Sequence, residues 1–241
     1  MPLTQPAPSI VAWNSSEGKK RLQESRYNLH FYQLAHLFER QAKPTYCGVA
    51  SAVMVMNALR LPKKGLTLET RLDVKVPDAK QAKRLAYNSY SQLTFLDAQT
   101  SKIKKKSEVE GKFVAGELFD PGMDIETLAK KLRLSIFNVK VVHASATNEK
   151  ALNQFRQDVM AFMNDRETYM IANFDTFILG RQGGHYSPVA AYHSASDSCL
   201  VMDVGGHKHP WFWVSVEDFV AAMHTKDGQL YRGYMLVSDR L

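Results

Sequence analysis

The chain has 241 residues, of which 45% are hydrophobic, and it carries a formal net charge of +7. This length and apolar content predict one globular domain with a sizeable core, which we place over residues 1–241. No apolar run reaches the roughly 18 residues of a membrane span, and the N-terminus lacks the basic and apolar segments of a secretion signal. We therefore expect a cytoplasmic protein without a membrane partner, with export as the open alternative.

The positive charge would suit nucleic acid, a membrane surface or a small anionic substrate. The one dense basic run covers residues 102–106, and no aromatic residues alternate with its lysines to form a base-stacking surface. We interpret this run as a solvated loop and predict no nucleic-acid partner.

Helical patterns dominate the first two thirds of the chain. Ser15 or Ser16 can begin a short helix, a second follows near residues 31–38, and residues 49–59 form an almost wholly apolar run that is typical of a buried helix. Further helices are predicted from Asp124, from Thr147 or Asn148, and over 216–223, and strands are predicted over 139–142, 169–174, 186–192, 200–204 and 234–237.

This order of elements predicts an α+β fold. We expect a helical lobe over about residues 14–165 followed by an antiparallel β-sheet lobe over about residues 166–241. Cys199 lies in an apolar, strand-like run and is predicted to pack in the core. Residues 63–111 are polar, basic and weakly periodic, so we expect the most variable part of the chain there.

Cys47 stands at the beginning of the most apolar helix. Pro44 disfavours helix at the residue before it, and Thr45 is a suitable cap. Unpaired amides and the positive end of the helix dipole stabilise a thiolate, which is the nucleophilic form of cysteine. Cys47 is therefore the candidate nucleophile, although the local sequence alone also fits a small buried hydrophobic residue.

Two later segments supply partners for this thiol. His185 follows paired glycines at the start of a predicted strand, and Asp203 interrupts the next apolar strand. An antiparallel hairpin would bring both to one rim of the sheet, although a bulge at Pro188 leaves the register open. An imidazole can take and return the thiol proton, and a carboxylate can fix its tautomer, so we predict these roles for His185 and Asp203.

Gln41 lies six residues before the predicted nucleophile. Its amide can swing toward the oxygen of a tetrahedral intermediate, with the backbone amide of Cys47 as a second donor. One such side-chain donor is worth about 2.7 to 4 kcal/mol in the transition state.

Together these segments resemble the phytochelatin synthases. The similarity covers nearly all of the chain from about Val11 and keeps order and spacing in segments 14–18, 41–57, 120–128, 143–145, 155–156, 184–188, 201–204 and 232–234. It implies a papain-like cysteine peptidase fold, in which the cysteine attacks the cysteinyl carbonyl of glutathione, releases glycine and holds a γ-glutamylcysteinyl thioester. Because the sequence ends at Leu241 without a cysteine-rich domain, it resembles the short prokaryotic type.

The resemblance also implies substrate-binding positions. Where the family usually carries arginines near the catalytic acid and after the position of Asn173, this chain has Gly206 and Thr176. We expect the remaining arginines to bind substrate carboxylates through paired hydrogen bonds. The predicted substrate-binding residues are Arg232, Tyr46, Gly184 and Arg181.

We therefore predict an enzyme that mainly hydrolyses glutathione to γ-glutamylcysteine and glycine, with weak transpeptidation to phytochelatins. No cofactor or bound metal is expected. Two points are left open: stimulation of the enzyme by cadmium or zinc thiolates, and assembly into a homodimer. One alternative is a cysteine peptidase for a larger peptide. Another is a weakly catalytic thiol or metal-binding protein, because His207 and His209 have a spacing that places both rings on one face of a strand.

Overall fold

The computed structural model describes residues 10–63, 89–114, 117–119, 121–206 and 209–240. Its helices are α1 (Ser16–Glu24), α2 (Leu29–Ala35), α3 (Cys47–Arg60), α4 (Gln92–Phe95), α5 (Lys106–Glu110), α6 (Ile125–Leu134), α7 (Glu149–Phe162) and α8 (Val216–Met223), with 3₁₀ turns at Thr100–Lys102, Thr176–Leu179 and Ser194–Ser196. Its strands are β1 (Val11–Ala12), β2 (Lys112–Val114), β3 (Glu117–Phe119), β4 (Phe137–His143), β5 (Thr168–Asp175), β6 (Gly184–His193), β7 (Ser198–Val201), β8 (Phe212–Ser215), β9 (Lys226–Asp227), β10 (Leu230–Tyr231) and β11 (Gly233–Asp239).

In the described part of the chain, seven strands form one sheet in the order β1-β8-β7-β6-β5-β11-β4, and every neighbouring pair is antiparallel. The predicted α+β class with an antiparallel sheet is therefore confirmed. The sheet is not confined to the C-terminal third, because β4 comes from the predicted helical lobe and β1 from the residues just before it. Residue 165 is thus not a boundary of the sheet, since β4 pairs with the last strand over its whole length.

Helix α3 packs on one face of this sheet. All of its residues after Cys47 are buried, as its apolar sequence predicts. Its far end is fixed because the Arg60 guanidinium lies 3.9 Å from the ring centre of Phe137 and pairs with Asp239 at 3.1 Å. The cap residue at the other end is Tyr46, so the prediction of Thr45 as cap was wrong.

Helices α7 and α8 cover the opposite face. Their apolar side chains form a second core with β5, β6, β7 and β11. Cys199 lies in this core with no exposed surface, as predicted, and burial raises the pKa of its thiol. The sheet is therefore held between two apolar layers, and its central strands cannot shift independently of the helices.

Several local predictions need correction. The strand predicted over 200–204 ends at Val201, so Asp203 lies in the segment that follows it. The basic run is not a loop throughout, because Lys102 ends a 3₁₀ turn and Lys106 begins α5. The predicted bulge in β6 lies just beyond Pro188, between residues 189 and 191. Residues 64–88 of the predicted variable segment lie outside the described residues.

Among the residues that the structure describes, no helix is long and apolar enough to span a membrane. The predicted cytoplasmic location stays a prediction.

Burial of His30 in α2 predicts a pH-dependent stability. The ring has no exposed surface, lies 4.3 Å from the ring centre of Tyr169, and has one nitrogen 3.0 Å from the backbone oxygen of Asp165. Burial lowers the pKa of His30 from 6.5 to about 4. Because the unfolded state then binds the proton first, stability should begin to fall below the unfolded pKa and continue to fall until the pH reaches the folded value.

The measurement is urea unfolding at about pH 7 and about pH 4.5 for the wild type and His30→Gln. The loss of unfolding free energy between these pH values should be about 2 to 3 kcal/mol smaller in the variant, because glutamine does not titrate. Equal losses in both proteins would show that His30 is not the source of the acid sensitivity.

Candidate active site

Cys47 is the first residue of α3 and faces the start of β6. The first turn of α3 packs closely against its neighbours, since a Cβ added to Gly48 would lie 3.2 Å from Leu128 and 3.3 Å from the Tyr186 ring. The backbone N–H groups of Gly48 and Tyr186 face the Cys47 sulfur closely enough to lower the pKa of its thiol. The predicted position at a helix N-terminus is therefore confirmed, and two amides stabilise negative charge on the sulfur.

His185 and Asp203 meet at the same rim of the sheet, as the hairpin argument predicts. The distance from His185 Nε2 to Asp203 Oδ1 is 2.7 Å, and the Gly205 N–H also donates to Oδ1 at 2.7 Å. Since Nε2 is occupied by Asp203, Nδ1 is the ring nitrogen left for the hydrogen bond with Cys47. The three side chains are thus connected in the order that proton transfer requires.

The electrostatics of the site favour a charged Cys47–His185 pair, that is, a thiolate beside an imidazolium. Burial raises the pKa of Cys47, but the hydrogen bond and positive charge of His185 outweigh it, so the pKa lies below its usual value. Burial lowers the pKa of His185, but hydrogen bonds to Asp203 and Cys47 raise it to about 10. Burial raises the pKa of Asp203, but His185, together with the Gly205 N–H and His209, brings it below its usual value. The arrangement therefore supports a thiolate, an imidazolium and a carboxylate at neutral pH.

Gln41 also lies at this site, but its amide group is turned toward the backbone. Nε2 donates to the carbonyl oxygens of Lys43 at 2.9 Å and Pro44 at 2.8 Å. Its buried Oε1 has no hydrogen-bond partner among the described residues and would lie 3.5 Å from a Cβ placed on Gly205. Donation to a reaction intermediate therefore requires the side chain to swing, as the sequence argument assumes.

A cavity of about 300 Å³ opens beside Cys47, and we call it the acyl cavity. Two buried polar atoms in residues lining it have no hydrogen-bond partner among the described residues: Asn173 Oδ1, an acceptor, and Arg232 Nε, a donor. Asp227 also lines the cavity. Buried polar groups of this kind are costly unless a ligand or water pairs with them.

The predicted substrate residue Arg232 thus lies in the acyl cavity, and Gly184 explains how it fits. A Cβ on residue 184 would come within 2.9 Å of Arg232 Nε and Nη2. Arg232 Nη1 donates to the Thr225 hydroxyl at 3.1 Å and the Lys226 carbonyl at 2.5 Å, which fixes the guanidinium plane. Sequence reasoning missed Asp227 and did not assign a role to Asn173, since neither belongs to a recognisable spacing pattern.

A second cavity of about 190 Å³ is lined by His185, and we call it the leaving-group cavity. Arg181, Gln182, Thr176 and Gly205 contribute to its lining. Within the described residues, the Arg181 side chain has no carboxylate partner. Pro44 and Gly184 line both cavities, which are therefore adjacent, and His185 lines the smaller one.

Tyr46 does not line either cavity. Its side chain is 1% exposed, and its hydroxyl donates to Glu110 at 2.7 Å. Glu110 also pairs with Lys43 at 2.8 Å. This placement corrects the prediction of Tyr46 as a substrate-binding residue: its ring packs in the core around α3, and the residue is the N-cap of that helix.

Of the predicted histidine pair, only His209 belongs to the described residues. His207 lies outside the described residues, whereas His209 is close enough to Arg181 and Asp203 to interact electrostatically with both. Burial, followed by the charge of Arg181, lowers the pKa of His209. Within the described part of the chain, no group of three His, Cys, Asp or Glu side chains could hold a metal ion.

Comparison with known proteins identifies the family. A model of the family described as phytochelatin synthase matches residues 3–234. This chain belongs to the phytochelatin synthase family. The predicted resemblance is therefore confirmed. The structure also has the arrangement that the predicted papain-like fold requires: a cysteine begins a buried helix and faces a histidine on an antiparallel sheet, and the acid follows one of the sheet's strands.

Relatives of this family member are distant in sequence. It is 27% identical to glutathione gamma-glutamylcysteinyltransferase 3 of Lotus japonicus, over 97% of this chain and 43% of the relative. It is 26% identical to the glutathione gamma-glutamylcysteinyltransferase of Schizosaccharomyces pombe, over 94% of this chain and 48% of the relative. The chain thus spans less than half the length of these curated relatives.

Among solved structures, xylellain, a cysteine protease from Xylella fastidiosa, matches with a TM-score of 0.41 and 10% identity over 85% of this chain and 83% of xylellain.

Proposed function

We propose that this phytochelatin synthase family member cleaves the bond between cysteine and glycine in glutathione through a γ-glutamylcysteinyl thioester on Cys47. The acyl cavity would hold the γ-glutamyl end and the leaving-group cavity the glycine. His185, which lines the leaving-group cavity, is the acid–base group, Asp203 orients it, and Gln41 donates to the developing oxyanion.

The observation that carries this proposal is the pair of unpartnered atoms beside the nucleophile. The γ-glutamyl end of glutathione carries a free α-carboxylate and a free α-ammonium group. A carboxylate would accept from Arg232 Nε, and an ammonium would donate to Asn173 Oδ1 and pair with Asp227. An ordinary peptide has neither charge at that position, so this cavity favours glutathione over a larger peptide.

The chemical steps follow from the order of the side chains. The Cys47 thiolate attacks the cysteinyl carbonyl carbon, and the bond to the glycine nitrogen breaks as imidazolium His185 gives that nitrogen its proton. Water or a second amine then attacks the thioester while His185 takes a proton, and the thiolate leaves. Because the leaving amine must lie beside the proton donor, we assign the glycine to the cavity that His185 lines.

The test of this proposal compares glutathione with N-acetyl-cysteinylglycine, which keeps the reacting bond but lacks the γ-glutamyl group. Glycine release should be about 10- to 100-fold less efficient with the analogue, because the buried donor and acceptor stay unpaired. Arg232→Gln should reduce this preference. Equal efficiency for both compounds in the wild type would instead support a peptidase for larger peptides.

We further predict that hydrolysis exceeds transpeptidation. A second glutathione competes with water only if its carboxylates are held near the thioester, since positioning raises the effective concentration. Gly206 and Thr176 offer no charge at two places where the family usually has arginines, which leaves Arg181 as the cation in the leaving-group cavity.

Chromatography with mass detection of the products from millimolar glutathione measures this balance. Run with and without cadmium or zinc, it should show mainly γ-glutamylcysteine and glycine. Abundant dimers and trimers of γ-glutamylcysteine would contradict the prediction. If they disappeared in Arg181→Gln, Arg181 would be the residue that holds the acceptor.

A further inference from the structure

Gln92 makes a two-sided contact with the backbone that carries Gln41. Its Nε2 donates to the carbonyl oxygen of Arg40 at 2.8 Å, and its Oε1 accepts from the N–H of Ala42 at 2.8 Å. Between these two bonds, the N–H of Gln41 donates to the carbonyl of Val204 at 3.0 Å. The backbone of residues 40–42 is therefore held by hydrogen bonds to the Gln92 side chain and to the backbone of Val204.

The side chain that makes this contact is itself fixed. Gln92 is 7% exposed and belongs to the short helix α4, which a reciprocal pair of bonds between Ser91 and Thr94 caps. Phe95, in the same turn, is buried in the core around α3. Loss of the Gln92 amide would leave two backbone groups unpaired without removing α4 from the core.

The segment that carries Gln92 is in turn held by α3, the helix that begins with Cys47. Asn57 of α3 donates to the carbonyl of Tyr90 at 3.0 Å and accepts from its N–H at 2.8 Å. The helix that begins with Cys47 therefore holds residue 90, and the segment from residue 90 to Gln92 holds the backbone around Gln41. This chain of contacts sets the position of the amide relative to the nucleophile.

We propose that Gln92 is a positioning residue for the oxyanion hole, an inference that rests on the proposed function. It fixes the backbone of residues 40–42 so that only the Gln41 side chain has to move when an intermediate forms. Release of that backbone would shift the amide relative to the reacting carbonyl. A shift of about 1 Å at a reacting group can cost about 10²-fold in rate.

The experiment compares two reactions of Cys47 in Gln92→Leu. Glycine release from glutathione passes through an oxyanion, whereas alkylation by iodoacetamide needs only the thiolate. We expect kcat for glycine release to fall about 10-fold or more with KM little changed, while the alkylation rate and its pH profile stay at the wild-type values. Gln99→Leu, at an exposed glutamine in the following turn, is the matched control and should keep both rates.

A double-mutant comparison adds a second criterion. Gln41→Ala combined with Gln92→Leu should be no slower than Gln41→Ala alone, because both changes remove the same donor. Gln92→Glu, which keeps an acceptor for Ala42 but has no donor for Arg40, replaces Gln92→Leu if the latter does not fold.

Three results would overturn the inference: an unchanged kcat, a parallel loss of alkylation, or additive effects in the double variant. A wild type that alkylates but releases no glycine from glutathione would instead refute the proposed function, and this inference with it.

Discussion

Cys47→Ser is expected to abolish glycine release from glutathione, with a loss of roughly 10³-fold or more, while the protein stays folded. Serine has nearly the same size, and α3 is held along its length by buried residues. The hydroxyl cannot ionise under conditions in which two amides and His185 stabilise a thiolate. The measurement is glycine production from millimolar glutathione, together with a thermal unfolding curve.

Cys199→Ala is the matched control for this variant. Cys199 is the other cysteine of the chain and is buried in the second core, where burial raises the pKa of its thiol. We expect it to keep the wild-type rate. Residual glycine release in Cys47→Ser near the wild-type value would remove Cys47 from the mechanism.

Asp203→Asn is expected to reduce the rate by about 10² to 10⁴, because it disables acid–base catalysis without changing the shape of the site. An amide N–H facing His185 Nε2 would force the neutral ring to carry its proton on Nδ1. The nitrogen that faces Cys47 could then no longer take the thiol proton. Because the Gly205 N–H donates to the same Oδ1 that faces His185, it would lose its acceptor in this orientation, which should lower stability by about 1 to 3 kcal/mol without unfolding the protein.

The pH dependence separates this effect from a folding defect. Asp203 is one of the groups that raise the pKa of His185 to about 10. Without that charge, the imidazolium should be lost at a lower pH, so the alkaline limb of kcat/KM and of iodoacetamide alkylation should move to lower pH. An unchanged profile and an unchanged rate would show that Asp203 does not act on His185.

The periodic parts of the sequence predicted most of what positions the nucleophile. The apolar run before Arg60 identified α3, and the paired strands placed His185 beside Asp203 even though Asp203 proved to lie beyond the strand. These features depend on neighbours in sequence or on one hairpin. The participation of β1 and β4 in the sheet could not be predicted, because each pairs with a strand about 100 to 200 residues away.

The substrate-binding residues of the site were harder to predict than the catalytic ones. Arg232 and Gly184 emerged from the family resemblance, but the close approach that leaves no room for a Cβ on residue 184 beside Arg232 depends on packing that no spacing reveals. Tyr46 was misjudged because its position beside Cys47 says nothing about the direction of its ring. Gln92 gave no signal in the sequence, since its partners lie 50 residues earlier.

The central claim, a thioester on Cys47, is tested most directly by the intact mass of the protein after acid quenching from millimolar glutathione. We predict an added γ-glutamylcysteinyl group on the wild type, mapped to the peptide that contains Cys47, released by hydroxylamine and stable to a phosphine reductant. The adduct should appear together with an equivalent of glycine. An adduct of intact glutathione that a phosphine removes, or product formation with no adduct at any time, would contradict the claim.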